Sequence, residues 1–194
     1  MPTYVQRESD TTSSRYVNLT FTEQDGRQVI MGSERSLPTL DIAHQRLHEG
    51  RAFYAYKFHG STDKLADGAF ATIAIACAEG CDMHMLVEVE CGGASEFYWY
   101  EDSEVSSGSA FTAINRKRSS TNTSGTAILI NPTIDTAGTL LIAKAIPGGS
   151  GGNAAGGAGY SFEYVLKDLT TYVFQLKNVS GQSRDAHLLL EWYE

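Results

Sequence analysis

Along most of this chain apolar side chains recur at every second residue, the spacing of a β-strand that buries one face. The cleanest stretch runs from Met83 to Cys91. Met83, Met85, Val87, Val89 and Cys91 fall on one side, and His84, Glu88 and Glu90 on the other, with Leu86 the exception. Between Arg51 and His59, Tyr54, Tyr56 and Phe58 alternate with Phe53, Ala55 and Lys57, and residues 69–77 (AFATIAIAC) are more uniformly apolar. Further strands are predicted over 95–101, 109–114, 126–130, 138–146, 160–167, 171–179 and 186–193. Turn formers separate nearly every pair, as at Glu79-Gly80, Gly92-Gly93, Asn131-Pro132 and Ser180-Gly181. Short strands with a turn signal every ~8–12 residues, and no helices between them, predict an all-β antiparallel sandwich of jelly-roll type. A parallel α/β sheet is excluded.

Three segments depart from this period. Residues 1–36 are rich in Ser, Thr, Arg, Gln, Asp and Glu and read as an extended N-terminal arm, with at most a short strand at Tyr16 to Phe21. Residues 37–50 read as a short helix that Thr39 or Asp41 caps, that carries Leu40, Ala43 and Leu47 on one stripe, and that Gly50 ends. Residues 51–194 then form the sandwich. Within it, 147–159 (PGGSGGNAAGGAG) is a low-complexity loop with no large side chain to anchor it, expected to project from one end or to be ordered by a neighbour.

Charge narrows the choice of partners. The chain has 194 residues with 23 acidic against 15 basic side chains, a formal net charge of −8, which argues against a nucleic-acid surface. No apolar run approaches the ~18 residues of a membrane span. The opening residues carry no apolar signal core, so folding is expected in a cytosol. Cys77, Cys81 and Cys91 are odd in number and are expected as reduced, buried thiols. Asn-x-Ser/Thr triplets begin at Asn18, Asn122 and Asn178 and carry no weight without secretion.

Candidate chemistry is sparse. Cys77, Cys81, His84 and Cys91 invite a zinc reading, but Cys91 would lie a full strand from the turn, on the order of 25 Å at ~3.3 Å per residue. His44 and His48 are four apart on the helix, yet no further ligand set accompanies them, so solvent-facing histidines are the simpler reading. Glu88 and Glu90 share a strand face at a spacing a glycosidase could use, which is equally the pattern of a solvated face. No nucleophile elbow or phosphate loop is present. No catalytic residue, cofactor site or metal site is assigned. The basic cluster Asn115-Arg-Lys-Arg-Ser-Ser120 is either a solvated turn or a docking loop for an acidic protein surface. In Phe97-Tyr-Trp-Tyr100, one face belongs to the core; the other is a carbohydrate platform or a subunit interface.

The second half of the chain resembles tailed-bacteriophage virion structural proteins of the capsid decoration (cement) or minor capsid type. The resemblance is carried by Asn115-Arg-x-Arg-Ser119, Asn131-Pro-Thr, Asp135-x-x-Gly-Thr-Leu-Leu141, Leu169-Thr-Thr-Tyr172 and Leu188-Leu-Leu-Glu-Trp-Tyr-Glu194, and spans roughly 48–194. It implies a non-enzymatic sandwich on the outer capsid surface, made in the host bacterial cytoplasm. Its partners would be the major capsid protein and its own copies, as a trimer, with no nucleic acid and no membrane. Tyr4, Arg7, Arg15, Tyr16, Phe21 and Arg27 on the arm, with Arg116, Lys117 and Arg118, are then the capsid-contact candidates. Tyr98 and Tyr100 are the subunit-interface candidates. The alternative is a tail-fibre or baseplate module that binds host-surface glycan.

Overall fold

The computed structural model describes residues 20–22, 28–30, 41–148, 156–159 and 163–194. The chain divides after Asp41 into two compact units. In the first, β1 (Thr20–Thr22) and β2 (Gln28–Ile30) form an antiparallel hairpin with Phe21 opposite Val29. The arm thus contains paired strands, where the sequence suggested one isolated strand ending at Phe21. Tyr4, Arg7, Arg15, Tyr16 and Arg27 lie outside the described residues.

The second unit, Ile42–Glu194, opens with α1 (Ile42–Glu49). Ala, Gln, Arg, Leu and Glu favour the helix, and Gln45 Nε2 and Arg46 Nη1 bond the Glu49 carboxylate at 2.8 and 3.1 Å. Gly50 ends it as expected, with φ +72°. Its N–H donates to Leu47 O at 3.1 Å and the Arg51 N–H to Arg46 O at 2.8 Å, the paired bonds of a Schellman cap. The helix begins at Ile42, later than position 37; residues 37–40 lie outside the described residues. Eight residues are too few for a stable isolated helix, and the sandwich supplies the rest. Lys117 Nζ donates to His48 O at 2.7 Å, Asn122 Nδ2 to Glu49 O at 3.2 Å and Asn115 Nδ2 to Gly50 O at 2.8 Å.

Two antiparallel sheets follow, stacked as a β-sandwich. The first holds β3 (Ala52–His59), β5 (His84–Cys91), β9 (Ile114–Asn115), β13 (Gly156–Gly159) and β16 (Ala186–Tyr193), in the order β13-β5-β16-β3-β9. A short β14 (Tyr164–Val165) also pairs with β5. The second holds β4 (Phe70–Ala76), β6 (Ser95–Glu101), β8 (Ser109–Phe111), β10 (Ala127–Ile130), β12 (Thr139–Ile146) and β15 (Thr171–Asn178), in the order β12-β6-β15-β4-β10-β8. A small ribbon joins β7 (Glu104–Ser106) to β11 (Thr133–Thr136). The four long strands β3 to β6 alternate between the sheets, so each of them pairs with strands distant in sequence.

One contiguous core lies between the sheets. The first contributes Phe53, Met85, Val87, Val89, Leu188, Leu190 and Trp192; the second contributes Ile73, Ile75, Phe97, Trp99, Tyr172, Phe174 and Leu176. Each fully buried aliphatic or Phe side chain contributes roughly 1.5–3 kcal/mol. The ring of Trp99 packs on Phe174 at a centroid distance of 4.8 Å and edge-on to Tyr164 at 4.7 Å.

The glycine-rich stretch departs from expectation. Gly156–Gly159 is a strand, pairing residue by residue with Cys91 to Glu88 of β5. The segment lacks anchoring side chains, but its N–H and C=O groups can satisfy the free edge of β5, and that ladder needs none.

Candidate functional site

The second sheet carries its most developed surface on the face turned away from the core. Strand alternation buries Phe97 and Trp99 and sends Tyr98 and Tyr100 outward. Tyr100 stands opposite Leu140 on one side and Val173 on the other; Val173 stands opposite Ala74, and Ala74 opposite Leu129. Leu140, Tyr100, Val173, Ala74 and Leu129 therefore form one apolar row across five strands. Such cross-strand neighbours lie about 4.5–5.5 Å apart and shield one another. Val173 is 0% exposed and Ala74 2%, although both point away from the core. Leu140, at 49%, and Leu141, at 41%, leave the β12 end of the row open.

A polar row runs beside it. Tyr98 faces Gln175, and Gln175 faces Thr72. The Tyr98 hydroxyl donates to Glu96 Oε2 at 2.7 Å, and that bond to a carboxylate holds the phenol above its ordinary range. Lys177 Nζ lies 3.9 Å from the same Glu96 carboxylate. An apolar centre with a charged rim is the anatomy of a protein interface.

The outward face of the first sheet is aromatic along β3. Tyr54 stacks on Tyr56; Tyr56 meets Phe111 and His187 edge-on, at 5.8 and 6.2 Å, and Phe58 meets His187 at 6.2 Å. Phe58 is 58% exposed. Glu88 and Glu90 occupy the same face, opposite Leu189 and His187 of β16. They are exposed on an open sheet, away from the cleft described next.

That cleft, of about 650 Å³, opens at one end of the sandwich between Arg46, Arg51, Glu79, Cys81, Asn122 and Glu194. Cys77 and Cys81 flank the turn at Gly80, both buried and reduced. Cys81 Sγ points at Glu194 Oε2, 3.9 Å away, and Ser124 Oγ donates to the same oxygen at 3.4 Å. Burial raises the Glu194 carboxyl above its usual range. Burial, reinforced by the charges of Cys81, Asp168 and Glu194, pushes the Cys77 thiol up to about 12. Burial and then Glu194 raise Cys81 as well. Thiols shifted in this direction are protonated at neutral pH and poor nucleophiles.

Cys91 sits at the other end of the sheet, opposite Ala186, whereas Glu194 follows the far end of β16. Eight residues of strand separate the two ends by about 23 Å at ~3.3 Å per residue. The four zinc candidates are thus not brought together, and among the described residues no three His, Cys, Asp or Glu side chains converge as metal ligands.

The basic cluster is drawn into the fold. Arg116 Nη1 pairs with Glu191 at 3.5 Å, Lys117 caps the helix, and Arg118 Nη1 donates to Asn115 O at 3.2 Å. All three side chains remain exposed. Sequence reasoning missed one polar cluster. His84 Nδ1 lies 2.7 Å from Glu163 Oε1, Tyr193 donates its hydroxyl to the same oxygen, and the His84 and Tyr193 rings stack at 4.7 Å. Glu163 is 79 residues from His84, so no local pattern could have found it. No protein-family model matches this sequence, and comparison with curated proteins and with solved structures found no match either.

Proposed function

We propose that this chain is a non-enzymatic structural protein of a tailed-phage virion, which decorates and stabilises the capsid by bridging major capsid subunits. The observation that carries the reading is the apolar row Leu140–Tyr100–Val173–Ala74–Leu129 with its charged rim, open at its Leu140 end and suited to a protein neighbour. The resemblance of residues 48–194 to virion proteins supports it, and so does the division after Asp41, which makes residues 1–36 separable from the sandwich. The alternation of β3 to β6 between the sheets, with the orders β3-β16-β5 and β4-β15-β6-β12, supports the jelly-roll reading.

In this mechanism the arm lies across neighbouring capsid subunits and the sandwich packs against its own copies through Tyr98 and Tyr100, as a trimer on the outer capsid surface. Ordering such an arm costs entropy that a large contact surface offsets, and repetition on a lattice turns modest contacts into firm attachment. The test is removal of residues 1–36, followed by circular dichroism of the product and its occupancy on particles. A folded sandwich that no longer binds capsids is expected. A truncated protein that occupies capsids as well as the intact chain rejects the arm as the attachment device.

A second reading has its own observation. The exposed Tyr56 and Phe58 beside His187 offer ring faces to a sugar, as a tail-fibre or baseplate module binding host-surface glycan would. Binding of the isolated protein to host polysaccharide, abolished by Phe58→Ser, would favour that reading over decoration.

A further inference from the structure

His44 and His48 stand one turn apart on α1, both exposed, with their Nε2 atoms 3.0 Å from each other and ring centroids 4.6 Å apart. We propose that this pair is a surface chelate for a divalent transition-metal ion that prefers ligands at right angles, Cu²⁺ first and Ni²⁺ next. The proposal is independent of where the protein assembles.

The donor type names the class of metal, and the spacing is compatible with it. Imidazole nitrogens bind such ions at about 2.0–2.1 Å. Two of them 3.0 Å apart therefore subtend roughly 90–97° at an ion held at that bond length. That is the angle between adjacent positions of a square-planar or octahedral ion; tetrahedral zinc would need the nitrogens about 3.3–3.4 Å apart at the same bond length. Imidazole suits copper and nickel, and copper heads the divalent series in affinity.

The chelate is held ready by the helix under it. No residue of α1 is buried, so neither ring is committed to packing. The backbone beneath them is fixed by the cap at Gly50 and by Lys117 Nζ on His48 O. In the metal-free protein one Nε2–H donates to the other Nε2. On binding, the donor ring gives its Nε2 proton to solvent and takes one from solvent at Nδ1, so that both rings hold the Nδ1–H tautomer with no net change in protons, and two waters leave the ion. The remaining positions keep water and stay open to a carboxylate or imidazole of a neighbouring molecule.

The experiment titrates the full chain with Cu²⁺ by calorimetry in a buffer that does not coordinate metals, then records the electron paramagnetic resonance spectrum of the complex. One ion per chain, hyperfine splitting from two nitrogens, and weaker binding of Zn²⁺ than of Cu²⁺ are expected. His44→Asn and His48→Asn should each weaken Cu²⁺ binding at least tenfold. Both sites are exposed, and an unchanged circular dichroism spectrum verifies that each variant is folded. Undiminished Cu²⁺ affinity in the folded double variant, or splitting from a single nitrogen in the parent, would overturn the proposal.

Discussion

Asn178, with no exposed surface, donates its side-chain amide to the backbone carbonyl of Leu65 at 2.8 Å. The same Nδ2 reaches Gln182 O at 2.7 Å, and Oδ1 accepts the Ser180 N–H at 3.0 Å. One amide thus joins the end of β15, the turn after it and the loop before β4. Asn115 repeats the device at the end of β9, holding Gly50 O, Asn122 O and the Lys117 N–H. Asn178 also opens a glycosylation triplet, and its burial leaves no room for a glycan in the folded protein.

Asn178→Ala leaves two carbonyls and one N–H without this partner. A loss of about 1–3 kcal/mol is expected, read as a lower urea midpoint at unchanged slope. A midpoint equal to the parent's would mean that water replaces the amide at no cost.

At Gly50 a methyl group meets two obstacles. Its φ of +72° is a conformation that L side chains rarely adopt, and an added Cβ would overlap the Ser120 side chain. Gly50→Ala should cost about 1–3 kcal/mol from the left-handed backbone and the overlap together. Helix signal near 222 nm should fall with it, and Cu²⁺ affinity should weaken as the His44–His48 spacing loosens. An unaltered melting temperature would refute this account of the cap.

Glu194 makes stability depend on pH in an unusual direction for a carboxylate. Burial raises its folded value, so the folded chain holds the proton to higher pH than the unfolded chain does. Its contribution is therefore full below the unfolded carboxylate range and is lost as pH rises through the raised folded value. Glu194→Gln removes that loss. Parent and variant should have similar stabilities at about pH 4, with the variant the more stable at about pH 8. The variant's Cys81 should also alkylate faster, because a negative neighbour is gone, while Cys77 stays slow behind its own burial. Equal alkylation rates at Cys81 would show that the carboxylate does not act on the thiol.

The outward row of the second sheet can be tested without touching the core. Leu140→Arg alters a side chain that is 49% exposed, so monomer stability should stay within about 0.5 kcal/mol. On the proposed trimeric packing through this face, self-association measured by sedimentation should be lost. A variant that assembles like the parent would remove this row from the interface.

The strands with one wet face were legible because burial writes a period of two into them. Met83 to Cys91 and Phe97 to Tyr100 lie as the alternation predicts, and Gly50 stops the helix as its type demands. The ribbon of β7 and β11 was not legible: Glu104-Val-Ser and Thr133-Ile-Asp-Thr are largely exposed and have no face to encode. Nor was β13, whose glycines offer only backbone. Val173 and Ala74 read as ordinary strand residues, and their burial on an outer face arises from neighbours on other strands. Cys81 and Glu194 are 113 residues apart, and only the closing of the sandwich end brings them together.

The two strands nearest the end of this sequence, β15 and β16, occupy interior positions in their sheets, β15 between β6 and β4 and β16 between β5 and β3. A chain emerging from the ribosome therefore holds both half-sheets apart, each with a gap at its centre, until residues 171–193 arrive. Contacts of such long sequence separation form late and slowly. Until then the apolar inner faces of the half-sheets stay uncovered, the kind of exposed surface that makes a folding intermediate prone to aggregate. Neither sheet can present a finished outer face before that point, so the order of strands in the fold also sets the earliest moment at which any partner could recognise that face.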